Sequence, residues 1–148
     1  GKDASSTGLV GGVKVALLDV ADPANPKELA TRLYGKAGSA SALDSSRHGI
    51  NLFKQGSTTR VALPVRINEA ATGSTSWFDP SSQGLVRLEV NHTTRTLADK
   101  PTIAGIFFAT EALRQQAYGA YDVGQERSVQ IGAHVYYLSG GMLRGEAW

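Results

Sequence analysis

The side chains able to do chemistry in this sequence are few and scattered. The three histidines, His48, His92 and His134, share no i, i+2 or i, i+4 spacing of the kind that sets two imidazoles on one metal ion. A structural role is expected for each, and His134 opens a strand, where an imidazole can close a hydrogen bond at a sheet edge. Asp19, Asp22 and Asp44 stand near turns and, with Asn25, offer oxygens to a cation such as calcium. Their spacing lacks the D-x-D-x-D-G alternation of a dedicated calcium loop. Asp22 suits a turn better, where its carboxylate accepts from a backbone amide two residues on. No metal and no cofactor are expected.

Serine is abundant, but no G-x-S-x-G is present, and Ser45-Ser46-Arg47-His48 places serine and histidine too close in sequence to imply a triad. Glu89 and Glu146 recur beside Arg87 and Arg144, so a repeated surface ion pair explains them better than a pair of glycosidase carboxylates. No catalytic residue is nominated. The one candidate binding feature is Trp77-Phe78, set in a long polar loop among Ser, Thr, Asp and Pro. An aromatic pair on a loop suits contact with a protein or a sugar, and it equally suits a plug that seats the loop on the sheet below.

Composition narrows the rest. Hydrophobic residues at 41% and charged residues at 19%, with a net charge of +2, describe an ordinary globular chain. No stretch gathers Lys and Arg with aromatics between them, which sets nucleic acid aside despite a pI near 9.0. The absence of cysteine removes disulfides, thiolate metal sites and a cysteine nucleophile together. The longest apolar run, Ile103 to Ala109, is far short of the roughly 20 residues a membrane helix needs, and no export signal opens the chain.

The elements that must position these residues read as strands. Residues 1–12 are rich in Gly and Ser without periodicity, so a flexible lead-in is expected. Val13 to Val20 is a β-favouring run apolar on both faces, ended by A-D-P-A-N-P, and Glu28 to Tyr34 is its partner. A short strand is expected around Ala42 to Asp44, then a hairpin of His48 to Phe53 with Arg60 to Ile67. Pro64 inside that second run demands an edge, a bulge or a non-bonded site. Gly84 to Val90 is the clearest period-2 strand, with Val86, Leu88 and Val90 on one face and Arg87 and Glu89 on the other. Thr94 to Leu97 and Pro101 to Phe108 follow around a turn at Ala98-Asp99-Lys100. Thr110 to Tyr118 is the one helix candidate, with Thr110 as N-cap. Arg127 to Ile131, His134 to Ser139 and Met142 to Ala147 are spaced tightly enough for a meander.

Three stretches recur: G-V-K-V-A-L-L-D-V from Gly12, G-L-V-R-L-E-V from Gly84 and G-M-L-R-G-E-A from Gly141. Each opens with Gly, is mainly apolar and carries one basic and one acidic residue. Recurrence at unequal spacing of roughly 60 to 70 residues is the pattern of four-stranded propeller blades with variable loops. The expected fold is therefore all-β: antiparallel meanders forming a partial β-propeller with one short helix. Residues 13–34 would be strands c and d of one blade, 42–108 a full blade, and 127–148 strands a to c of a third. Each blade buries its two apolar faces only against neighbours, so remaining blades or a second copy of the chain are expected partners.

The stretches V-A-L-L-D-V-A-D-P-A-N-P-K-E-L, S-A-L-D-S-S-R-H-G-I-N-L-F, R-V-A-L-P-V and R-S-V-Q-I-G-A-H-V-Y-Y-L-S also carry a resemblance. Together they look like the C-terminal end of a secreted bacterial and archaeal β-propeller family distantly related to the WD-repeat propellers. That resemblance implies an exported, extracytoplasmic protein, with its signal or anchor elsewhere, and supplies no active-site residues. The expected function is a non-enzymatic scaffold or interaction module whose loops bind a protein or polysaccharide. The alternative is part of a propeller hydrolase or lyase whose active site lies mostly on blades absent from this chain.

Overall fold

The computed structural model describes residues 1–6, 8–69, 80–105 and 122–148. Their strands form three antiparallel sheets stacked face to face. The first sheet has the order β1-β2-β3, from Lys2–Ala4, Val10–Asp19 and Lys27–Tyr34. The β2–β3 connection is fixed by its acidic residues: Asp19 accepts from the Ala21 amide, and Asp22 accepts from the Ala24 amide and the Asn25 side chain. Pro23 and Pro26 have no amide to extend the ladder, so the strand stops there. Leu29 is the extra residue of a bulge, because Leu17 pairs with Ala30 while Leu18 pairs with Glu28.

Residues 1–12 depart from the flexible lead-in that their composition suggests. Lys2 pairs with Val13 and Ala4 with Val10, and the Lys2 ammonium reaches the Ser39 carbonyl and the Asp44 carboxylate. Three residues are too few to display a period, and one of the glycines that look like flexibility, Gly12, answers a close approach. A Cβ on Gly12 would lie 2.2 Å from the Gly35 carbonyl oxygen.

The middle sheet runs β4-β6-β7-β8, with β5 also paired to β6, from Ala40–Ser41, Asn51–Gln55, Thr58–Asn68, Pro80–Asn91 and Thr96–Ala104. Along one edge of β6, β5 pairs as far as Ala62 and β4 begins at Val65. Pro64 falls in the gap between them, where its missing amide interrupts no ladder on that side. The strand expected at Ala42 to Asp44 is instead a 3-10 turn, closed by the Asp44 carboxylate accepting from the Ser41 amide. His48 likewise sits in a 3-10 turn, Arg47–Gly49, whose His48 amide donates to the Ser46 hydroxyl, so the strand starts only at Asn51. The chain does not reverse at Ala98-Asp99-Lys100, which lie within β8. It reverses at His92 to Arg95, where the Asn91 side chain accepts from the Thr93 and Thr94 amides and Arg95 takes a φ of 56°. Polar residues at 98–100 read as a turn because Asp99 and Lys100 are there for partners on other strands, Arg32 and Glu89.

The third sheet is the expected meander, in the order β11-β10-β9, with β9 at Arg127–Ile131, β10 at His134–Ser139 and β11 at Met142–Ala147. Gly140 and Gly141 both take positive φ, 57° and 78°, which is the mirror-image turn that matches strand twist. The helix candidate at Thr110 to Tyr118 lies outside the described residues.

Alternation along β6 and β7 gives the middle sheet two apolar faces. Val61, Leu63, Val65, Val86 and Leu88 meet Val13 of the first sheet, while Ala62, Leu85 and Ile103 meet Val135 and Tyr137 of the third. Leu85 and Leu88 point to opposite faces and are both 0% exposed. Burial on that scale is worth about 1.5–3 kcal/mol per leucine, so a single strand supports both interfaces. The outward faces of the two end sheets stay open, with Leu18 and Leu33 exposed on one and Val129, Ile131, Leu138 and Leu143 on the other.

Candidate functional site

The two ends of the stack differ in how the strands are joined. At one end lie Gly56-Ser57, His92 to Arg95, Gly132-Ala133 and the seven-residue β2–β3 connection, Val20 to Pro26, whose Asp19 meets Arg95. At the other, residues 69–79 leave β6 and return at Pro80, and 105–122 leave β8. The β3–β4 connection joins them there, because Asn68, 1% exposed, donates from its side chain to the Ala37 carbonyl and from its amide to the Ser39 hydroxyl. An apolar recess of about 240 Å³ opens at this end, lined by Val65, Ile67, Val86, Gly84, Thr102 and Ala104 among others. Trp77 and Phe78 belong to the 69–79 connection and lie outside the described residues.

The structure separates the other candidates. His48 lies in a turn, His92 at the short-connection end and His134 at the start of β10, all exposed, and His92 Nε2 stands 2.8 Å from the Thr59 hydroxyl. Among the described residues no three His, Asp or Glu side chains gather as a metal would need. Each acidic residue of the supposed cation set already has a partner. Asp19 pairs with Arg95 at 2.9 Å and Asp44 with Lys2 at 2.8 Å. The Asn25 side chain and the Ala24 amide hold the Asp22 carboxyl below its usual range. Burial pushes the Asp44 carboxyl up, but hydrogen bonds from Lys2 and the Ser41 amide outweigh it and the net shift is downward.

The expected repeated ion pair exists once. Arg144 and Glu146 stand 3.5 Å apart on β11. Arg87 instead is 5% exposed and spans two sheets, donating to the Pro101 carbonyl and to the Ala147 carbonyl at 2.8 Å each. Glu89 pairs with Lys100 and accepts from the Trp148 indole N–H at 2.7 Å. The reason is facing: β7 turns Arg87 and Glu89 into the interface with the third sheet, where paired guanidinium and carboxylate groups serve as bridges rather than as surface charges.

Sequence reasoning missed the clusters built on these bridges. Two guanidiniums stand near the Trp148 ring, with Arg60 5.4 Å and Arg87 5.8 Å from its centre. Between the first two sheets, Asp99 accepts from Arg32 and from the Tyr34 hydroxyl. Burial, reinforced by the Asp99 charge, pushes the Tyr34 phenol well above its ordinary range. At the third sheet the Tyr137 hydroxyl donates to Glu126 at 2.5 Å, both groups fully enclosed. The only signal in the sequence is parity: Arg60 and Arg87 occupy positions that a two-faced apolar strand must turn inward.

A family model described as a β-propeller domain matches residues 1–148. No curated protein and no solved structure matches the chain.

Proposed function

The chain belongs to the β-propeller domain family, and from that premise we propose that it is a non-enzymatic, extracytoplasmic interaction module whose long-connection end binds a polysaccharide or protein. The observation that carries the reading is the asymmetry of the stack. Connections of two to seven residues close one end, while the long connections 69–79 and 105–122 leave from the other, beside an apolar recess and the Gly140-Gly141 turn. Binding residues collect on connections that a rigid scaffold holds in place. One of those connections carries Trp77-Phe78, a pairing suited to stacking on a sugar ring. The extracytoplasmic placement rests on the resemblance to exported propellers.

Affinity electrophoresis through gels cast with dextran, xylan or β-glucan, together with pull-down on peptidoglycan sacculi, tests this. Retardation by one of these probes is expected, weakened at least about tenfold in Trp77→Ala/Phe78→Ala with an unchanged melting temperature. Retention that survives the double substitution removes the aromatic pair from the reading, and release of new reducing ends from the probe replaces it with the enzyme alternative. No retention on any probe refutes the polysaccharide form.

A further inference from the structure

Of the four asparagines in the chain, Asn91 alone heads an N-x-T triplet, Asn91-His92-Thr93, whose middle residue is not proline. That spacing is the acceptor pattern for N-linked glycosylation, which needs an exposed segment. The fold supplies one. The triplet turns the tip of the β7–β8 hairpin, at the end of the stack away from the long connections, with His92, Thr93 and Thr94 all exposed. A recess of about 170 Å³, lined by Leu17, Leu29, Val90, Asn91 and Arg95 among others, leaves space beside it. The side chain also differs from its peers in what it has left to offer. Asn25 commits its carboxamide nitrogen to Asp22, and Asn68 commits its own to the Ala37 carbonyl. Asn91 uses only Oδ1, which accepts from the Thr93 amide at 2.9 Å and the Thr94 amide at 3.0 Å. Among the described residues nothing hydrogen-bonds to Asn91 Nδ2 or to the Thr93 hydroxyl, so the two groups of the acceptor pattern are both uncommitted.

We infer that Asn91 is a site of N-glycosylation, taking an oligosaccharide from a lipid-linked oligosaccharide diphosphate by the action of a transferase. A bond forms between the anomeric carbon of the sugar and Nδ2, and the bond from that carbon to the diphosphate oxygen breaks. The lipid diphosphate and one Nδ2 proton leave. The turn tolerates the product, because its two hydrogen bonds use Oδ1 and the substituent falls on Nδ2. A bulky, solubilising glycan then stands at the short-connection end, and the long connections at the opposite end stay uncovered. The inference rests on the extracytoplasmic placement proposed above, since the acceptor pattern belongs to exported chains, and is independent of what the long connections bind.

Peptide mass spectrometry on the protein recovered from its own cells, separated into cytoplasmic and extracytoplasmic fractions, tests it. The peptide spanning Asn91 is expected to carry a glycan in the extracytoplasmic fraction, and an amidase that cuts the sugar–asparagine bond should leave aspartate at position 91. Thr93→Ala and Asn91→Gln, made in the same cells, should lose the glycan, and Thr93→Ser should keep it. Thr93→Ala retains the backbone amide that Asn91 accepts from, so its circular dichroism spectrum should not change even if Asn91→Gln disturbs the turn. A bare Asn91 in the extracytoplasmic fraction overturns the inference and leaves the proposed placement standing. A chain found only in the cytoplasm overturns the placement and the inference with it. A glycan that persists on Thr93→Ala does not depend on this triplet and likewise overturns the assignment.

Discussion

Replacing Trp148 by alanine tests whether the third sheet is held to the middle one by a side-chain clasp or by apolar contact alone. The indole packs beside the Ala62, Leu85 and Ile103 cluster and is half-buried. Full burial would make Trp→Ala cost about 3–5 kcal/mol, so half-burial leaves about 2. Its N–H to the Glu89 carboxylate adds about 1 kcal/mol at a partly exposed site, since Lys100 still faces Glu89 afterwards. The Arg60 and Arg87 guanidiniums over the ring add about 0.5 kcal/mol each, but they overlap with the packing already counted. The expected loss is about 3 kcal/mol, or about 6–12 °C in melting temperature for a chain of this length. Urea unfolding followed by far-UV circular dichroism measures it. Trp148→Phe keeps an aromatic ring but loses the N–H and part of the indole's packing area, so it should cost about 1–2 kcal/mol. A loss below about 1 kcal/mol for the alanine variant, or equal losses for the two variants, refutes the clasp.

Two further results are expected. Gly84→Ala should cost about 2–3 kcal/mol, because its Cβ would sit 2.5 Å from the Ile103 carbonyl oxygen; Gly141→Ala, with open space around it but a φ of 78°, should cost about 1, and equal urea midpoints would deny the difference. Stability should also fall at both pH extremes through identified groups. The Tyr34 phenol, raised by burial and Asp99 above the 10.0 of the unfolded chain, makes its contribution below that pH and loses it as pH rises further. The Asp44 carboxyl, lowered on balance, makes its contribution above 3.8 and loses it as pH falls below. Tyr34→Phe should flatten the alkaline limb of melting temperature against pH and Asp44→Asn the acid limb, and limbs that do not change refute the assignments.

The strands were legible where both faces of a run had to be buried, and misread where a local hydrogen bond overrode the pattern. Val86, Leu88 and Val90 line one face of β7, as period 2 demands, and the last three strands fall within the boundaries their glycines mark. The 3-10 turns at Ala42–Asp44 and Arg47–Gly49 were not legible, because a single carboxylate or hydroxyl decides them. The three-fold repeat holds for two of its members. Gly12 and Gly84 both meet a neighbouring backbone, at 2.2 and 2.5 Å. Gly141 sits in an open turn, and Arg144 pairs with Tyr137 on the face turned to the middle sheet. Aligning the third copy on its glycine therefore slips it by one residue, which exchanges its faces.

The polar side chains that looked like candidate chemistry are mostly spent between sheets. Lys2 to Asp44, Arg32 to Asp99 and Arg95 to Asp19 join the first sheet to the middle one. Arg87 to the Ala147 carbonyl, Arg60 to the Gly132 carbonyl, Arg144 to the Ala104 carbonyl and Gln130 to Asn51 join the middle sheet to the third. Pairs left open to water contribute little, because solvent screens them and two long side chains must be held in one geometry. The leucines and valines beneath them contribute about 1.5–3 kcal/mol apiece. Apolar burial therefore holds the sheets together, and the polar bridges fix how one sheet is turned against the next. A side chain committed to that register is not available to a substrate, so under the proposed function recognition falls to residues outside the interfaces. The long connections at one end of the stack are where the described strands leave room for them.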